Sequence, residues 1–272
     1  GSADAKIVPV LAVLLIPAVV LGAAIGSFLN VVIYRVPAGE SVVRPASHCP
    51  SCGQPIRARH NVPVVSYLAL RGRCADCRTP ISIRYPLVEA ATAVLFGAVV
   101  AFAWHRELLP MLPALLYLAA IGLALALIDI DVHRLPDAIV LPAYPVLAAL
   151  LVGAAWWSGD WWALARAAIG GAALFGFYLL LVLVYPAGMG WGDVKLAGVL
   201  GGAMAFVGWS ALVVGAFAGF LLGGIVAVGM IGLRRATGKT ALPFGPFMIL
   251  GTAVGIAAGA QLTAGYAGLL GV

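Results

Sequence analysis

The chain has 272 residues, 63% of them hydrophobic and only 10% charged, with a net charge of +6 and a mean hydropathy of +1.08. A soluble globule is about a quarter charged, so a soluble domain, a disordered chain, a collagen-like repeat and a disulfide-rich secreted scaffold are excluded. What remains is an all-α polytopic membrane protein. The positive balance does not point to nucleic acid, because basic loops on membrane proteins set orientation. The opening Gly1-Ser2-Ala3 lacks an initiator Met, reads as a cloning remnant and is set aside.

A helix needs about 20 apolar residues to cross a bilayer. Apolar runs at about 7–34, 87–104, 111–130, 138–157, 162–185, 194–206, 208–233 and 246–271 predict about eight transmembrane helices. The sixth is short and its limits are blurred by Gly201, Gly202 and Gly208, so seven is the alternative. These spans imply three parts: a first transmembrane helix over 7–34, a polar module over 35–86, and a multi-span membrane domain over 87–272.

Lys and Arg fix the orientation. Arg35, Arg44, Arg57, Arg59, Arg71, Arg73, Arg78 and Arg84 lie in the polar module or at its edges. Arg134, Lys195, Arg234, Arg235 and Lys239 fall on the same side when eight spans are counted. Only Lys6, Arg106 and Arg166 lie on or near the other. The basic side is therefore expected to be cytoplasmic, with both termini outward.

All four cysteines fall on that reducing side, in HCPSCGQPIRARHNVPVVSYLALRGRCADCRTP at 48–80. Cys49, Cys52, Cys74 and Cys77 form two C-x2-C pairs separated by 21 residues, the ligand pattern of a tetrahedral zinc site. Gly53 permits the tight turn after the first pair. The module is poor in large apolar side chains, so metal binding would supply its folding energy. Two disulfides, free thiols or a quinone-linked redox pair fit a reducing compartment less well. His48 and His60 are rival ligands, but four thiolates already close the coordination. A closed site of four cysteines is structural rather than catalytic. No H-E-x-x-H occurs, which leaves a zinc protease unsupported.

Only ten residues are acidic. Glu89 opens the second span in RYPLVEA, where a first-turn carboxylate or an arginine partner competes with a catalytic role. Asp129, Asp131 and Asp137 lie in LALIDIDVHRLPDAIVLP, and Asp193 lies in GMGWGDVKLAG. Ionisable residues at membrane depth are functional candidates. Two of them on separate spans at one face suggest a carboxylate pair dividing the acid and base roles on one water. Gly188, Gly190 and Gly192 would let an extended backbone lie close to Asp193. Asp137 follows Pro136 and reads as a helix N-cap. Asp129 and Asp131 are about 200° apart on a helix and cannot both face one partner. Depth favours Asp129, with Asp131 kept open. Asp193 at a helix start favours the anion and hence the base, and Asp129 near a helix end favours the acid.

The chain resembles the bacterial type IV prepilin peptidases across nearly its whole length. The resemblance is carried by GSFLNVVIYR at 26–35, the paired C-x2-C module, PVVSYLALRGRC at 63–74 and ISIRYPLVE at 81–89. It continues through IDIDVHRLPD at 128–137, GMGWGDVKL at 188–196 and LPFGPF at 242–247. The resemblance implies a GxGD-type intramembrane aspartic protease whose catalytic pair is Asp129 and Asp193. It implies prepilin and pseudopilin substrates of type IV pilus and type II secretion systems. Their short basic leaders would be cut at the cytosolic face of the bacterial inner membrane. It also implies N-methylation of the new N-terminus from S-adenosylmethionine, for which no binding fingerprint is visible. Glu89 is the one methyl-transfer candidate, as the carboxylate orienting or deprotonating the amine. Two other readings are a peptidase whose zinc module only recognises the leader, and a proton-coupled transporter. The latter would place its carboxylates near the bilayer midplane.

Overall fold

A computed structural model of the chain describes residues 4–186, 188–233 and 242–270. Arg234, Arg235 and Lys239 lie outside them. The described residues form α1 (Asp4–Arg35), α2 (Val65–Ala69), α3 (Arg84–His105), α4 (Leu112–Val132), α5 (Asp137–Ser158), α6 (Trp162–Val184), α7 (Trp191–Val207), α8 (Trp209–Gly232) and α9 (Gly245–Leu270). Among the described residues there is no strand, and each predicted apolar run is a helix. Among the described residues, seven helices are long and apolar enough to cross a membrane. The expected sixth span, α7, is the exception at 17 residues.

The chain divides into two compact units, Gly1–Ala124 and Leu125–Val272. In the first, α1 and α3 pack antiparallel. A Cβ on Gly22 would lie 2.8 Å from the Ala93 backbone, and one on Gly26 would lie 2.7 Å from that of Glu89. Glycines four apart thus let two backbones touch without a hydrophobic driving force in lipid. Asn30 extends the seam by donating to the Tyr85 carbonyl at 3.0 Å. At the end of α1 the buried Arg35 donates to the carbonyls of Ser41 and Pro45, which anchors the start of the cysteine module.

The second unit is built around α7, which packs against α5, α6, α8 and α9. Most of its residues are buried, including Val194, Leu196, Val199 and Met204. Small residues again set the seams. Gly170 and Gly171 of α6 face Gly198, Gly201 and Ala205 of α7, while Gly251, Gly255 and Gly259 of α9 face Ala211, Gly215 and Gly219 of α8. Arg166, early in α6, donates to the carbonyls of Ala205 and Phe206 and so closes the C-terminus of α7. That contact shows α7 running back along α6, so α7 reverses chain direction whether or not it touches lipid. Trp156, Trp157, Trp161 and Trp162 are exposed around the α5–α6 turn, the amphipathic girdle expected at a membrane interface. The opposite end gathers the end of α4, the starts of α5, α7 and α9, and the end of α6.

Candidate functional site

Asp129 sits in the last turn of α4 and is 5% exposed. Its Oδ2 accepts a hydrogen bond of 2.9 Å from the N–H of Gly245, the first residue of α9. Free N–H groups at a helix N-terminus bind anions readily. A Cβ at Gly245 would stand 2.9 Å from that same Oδ2 and 3.1 Å from Leu135 Cδ2, so the position requires glycine. Asp193 is the third residue of α7 and is 9% exposed. Its Oδ2 accepts 3.0 Å from the N–H of Gly190, and its own N–H donates to the Gly190 carbonyl.

Leu135 links the two carboxylates. Its side chain lies against Gly245, which holds Asp129, and against Gly192, where a Cβ would be 2.8 Å from Leu135 Cβ. Tyr178 stacks with Phe220 and Phe244 at centroid distances of 5.4 and 6.2 Å, forming an aromatic wall beside the pair.

The structure brings Asp129 and Asp193 together and leaves Asp131 exposed two residues further on. Asp137 is not the expected N-cap. Pro136 holds that position, and Asp137 begins α5. Both Asp137 oxygens instead accept from Lys195 Nζ, at 2.7 and 2.8 Å. Tyr144 of α5 donates to the Lys195 carbonyl at 2.6 Å. These contacts strap α5 to the first turn of α7, two residues from Asp193. Two of the expected glycines are also used by the fold, Gly192 against Leu135 and Gly188 against Tyr185, so only Gly190 faces the carboxylate. Gly245, Leu135, Tyr144 and Lys195 were missed as site residues. Gly245 alone had a usable signal, a glycine between Phe244 and Pro246 at the start of an apolar run.

The four cysteines form a second, separate cluster. Their sulfurs all lie within 4.8 Å of one another, with Cys49 and Cys77 3.8 Å apart. Tetrahedral zinc with bonds of about 2.3 Å would place its sulfurs about 3.8 Å apart, so the donor set fits. The two knuckles repeat one design. Cys49 N–H donates to the Gln54 carbonyl and Gly53 N–H to Cys49, while Cys74 N–H donates to Thr79 and Arg78 N–H to Cys74. The Thr79 hydroxyl and N–H pull the Cys77 thiol down to about 6. Against the lowering effect of the Gln54 N–H, burial and the neighbouring sulfurs push Cys52 up to about 12. Four crowded thiols cannot all ionise alone, and a divalent cation removes that conflict. His48 and His60 are outside the cluster.

Glu89 is engaged in structure. Its Oε2 accepts 2.7 Å from the N–H of Val64. Val64 has φ 61°, and the Val65 N–H closes back on Pro63 across it at 2.6 Å. This three-residue turn of unfavourable hand is strained for a β-branched residue.

Residues 20–104 match the family described as the bacterial peptidase A24 N-terminal domain, and residues 116–228 match the type IV leader peptidase family. A relative from Pseudomonas putida named prepilin leader peptidase/N-methyltransferase is 40% identical, covering 93% of this chain and 94% of its own. Relatives of the same name from Stutzerimonas stutzeri and Neisseria gonorrhoeae are 37% and 40% identical, over 92% and 84% of this chain and 92% and 85% of theirs. No solved structure matches.

Proposed function

From membership of the type IV leader peptidase family, to which this chain belongs, we propose that it removes the leader of type IV prepilins and pseudopilins and methylates the exposed N-terminus. The observation that carries the peptidase reading is the buried pair of Asp129 and Asp193, each accepting a backbone N–H near a helix start. A water held between two carboxylates can be deprotonated by one as it attacks the scissile carbonyl, while the other protonates the leaving amine. The helix-end asymmetry expected between them is offset, because Asp129 at the end of α4 also faces the N-terminus of α9. The pair is therefore best treated as one site sharing one proton. The aromatic wall of Tyr178, Phe220 and Phe244 suits the apolar segment that follows a leader.

Cys49, Cys52, Cys74 and Cys77 would hold one zinc, which makes the module of 35–86 rigid and leaves the membrane domain of 87–272 to carry the proteolysis. The methyl donor is S-adenosylmethionine in this reading. A freed amine must lose its proton to attack, so a partly desolvated site would assist transfer. The predominance of basic residues in the module, with Arg134 and Lys195 on the same side by span parity, supports a cytosolic-face active site in the bacterial inner membrane. The test is incubation of the purified protein with a prepilin and labelled S-adenosylmethionine. We expect a leader-sized mobility shift and label on the mature N-terminus. A shift without label, from a zinc-loaded protein, would reduce the reading to a peptidase.

A further inference from the structure

α2 lies within the cysteine module, with one side tied to it and the other exposed. Ser66 is buried, donating from Oγ to the Arg59 carbonyl and accepting from Val62 N–H, so one side of α2 is tied to residues 59–62. On the other side Val65 is 61% exposed and Leu68 67%. Residues three and four apart share a helix face, so Val65, Leu68 and Ala69 form one apolar strip. Arginines frame it. Arg59 precedes α2, and the turn carrying Arg71 and Arg73 folds onto its end, with Arg71 N–H on Leu68 and Gly72 N–H on Tyr67. All three side chains are exposed and lie outside the Arg57–Asp76 ion pair.

We propose that this face docks on the anionic headgroup surface of the bilayer that α1 and α3 cross. Charge complementarity selects the occupant. Between Arg35 and Arg84 the chain carries Arg44, Arg57, Arg59, Arg71, Arg73 and Arg78 against only Glu40 and Asp76. Clustered arginines beside a membrane span attract anionic lipid, and aliphatic side chains among them enter the headgroup boundary. The segment is tethered at both ends to spans, so a lipid surface is always within reach and little affinity is needed. Orientation requires positive charge anywhere in this segment. It does not require exposed aliphatic side chains between the charges, and that coincidence is what docking explains.

The test uses the full zinc-loaded chain in nanodiscs of phosphatidylcholine, with or without phosphatidylglycerol. Amide exchange over residues 62–73 should slow in the anionic discs, and 0.5 M salt should reverse the effect. Each of Arg59→Gln, Arg71→Gln and Arg73→Gln should weaken the protection by roughly fivefold. A benzoylphenylalanine at position 68 should crosslink to phospholipid, and one at Gln54 should not. Zinc content checks that every variant remains folded. Equal exchange in both lipid compositions, or a crosslink at position 68 that forms only with added prepilin, would overturn the proposal.

Discussion

The cysteine module and the aspartate site are built by opposite means. Around the aspartates, α7 is buried on nearly all sides and its neighbours meet it through glycine and alanine. Position there is set by close packing of regular helices, and the polar groups are few and paired. The module has one short α-helix, two knuckles and an excess of arginine, with few large buried side chains. Its order depends on four sulfurs and on backbone hydrogen bonds to them. One chain thus sets its aspartates by packing, while its cysteine cluster would be held by a bound metal, and the two should fail under different insults.

The largest separation comes from the carboxylates. Asp129→Asn or Asp193→Asn should lower leader cleavage by about three orders of magnitude or more, without loss of zinc or helix content. Asp137→Asn should cost far less. Its pairing with Lys195 is largely exposed, and such pairs contribute about 0–1 kcal/mol. A gel-shift assay on the three variants decides it. An active Asp193→Asn protein ends the dyad assignment.

Removing the metal is the converse insult. Chelation, or Cys74→Ser, should release amide protection over residues 45–80 and leave α6 to α9 protected. Acid should do the same. The Cys77 thiol is lowered to about 6 in the folded module, from an ordinary value of 9.0. Its contribution is thus full above the unfolded value and is lost as pH falls through the folded one. Zinc should be retained at pH 8 and lost as acid protonates the thiolates, as read by a colorimetric metal indicator. Loss of protection across both units together would break the comparison.

Gly245→Ala tests packing at its tightest functional point. The new methyl carbon would press on Asp129 Oδ2 and Leu135. Misplacing a reacting group by about 1 Å can cost on the order of 100-fold. Cleavage should fall by roughly 10- to 100-fold, with zinc content unchanged.

Glu89 separates chemistry from support. As an acceptor for Val64 N–H it can be replaced by glutamine, whose carbonyl oxygen also accepts. Glu89→Gln should therefore keep most methyl transfer, while Glu89→Ala should lose about tenfold together with protection around 62–66. A general base would fail in both variants.

The helices were legible from apolar runs alone, since lipid demands length and hydropathy, and the runs at 7–34 and 246–271 differ little from α1 and α9. The status of α7 was not, because its periodicity is the same whether lipid or protein covers it. The cysteine cluster was legible because ligand spacing is local in sequence. Asp129 and Asp193 could be nominated from depth, but their supports could not. Gly245 is 116 residues from Asp129 and Tyr144 is 51 from Lys195. Contacts at such separation leave no local pattern, and Asp137, expected as a cap, was drawn to Lys195 instead.

The smallest expected effect lies inside the module. Each knuckle places a left-handed residue directly after its second cysteine, Gly53 with φ 69° and Arg78 with φ 61°. The left-handed region costs an ordinary L-residue roughly 1–2 kcal/mol, and glycine's extra freedom when unfolded costs about 0.5–1 kcal/mol. The balance favours glycine by about 0.5–1 kcal/mol, or roughly two- to fivefold in zinc retention. Arg78→Gly should therefore tighten zinc against a competing chelator, and Gly53→Arg should loosen it by a similar factor. Neither should alter leader cleavage, because α7 and its neighbours hold the aspartates by packing. If Arg78→Gly loosens the metal, backbone strain is not what distinguishes the two knuckles. If it changes cleavage with zinc still bound, coordination and packing are not independent in this chain.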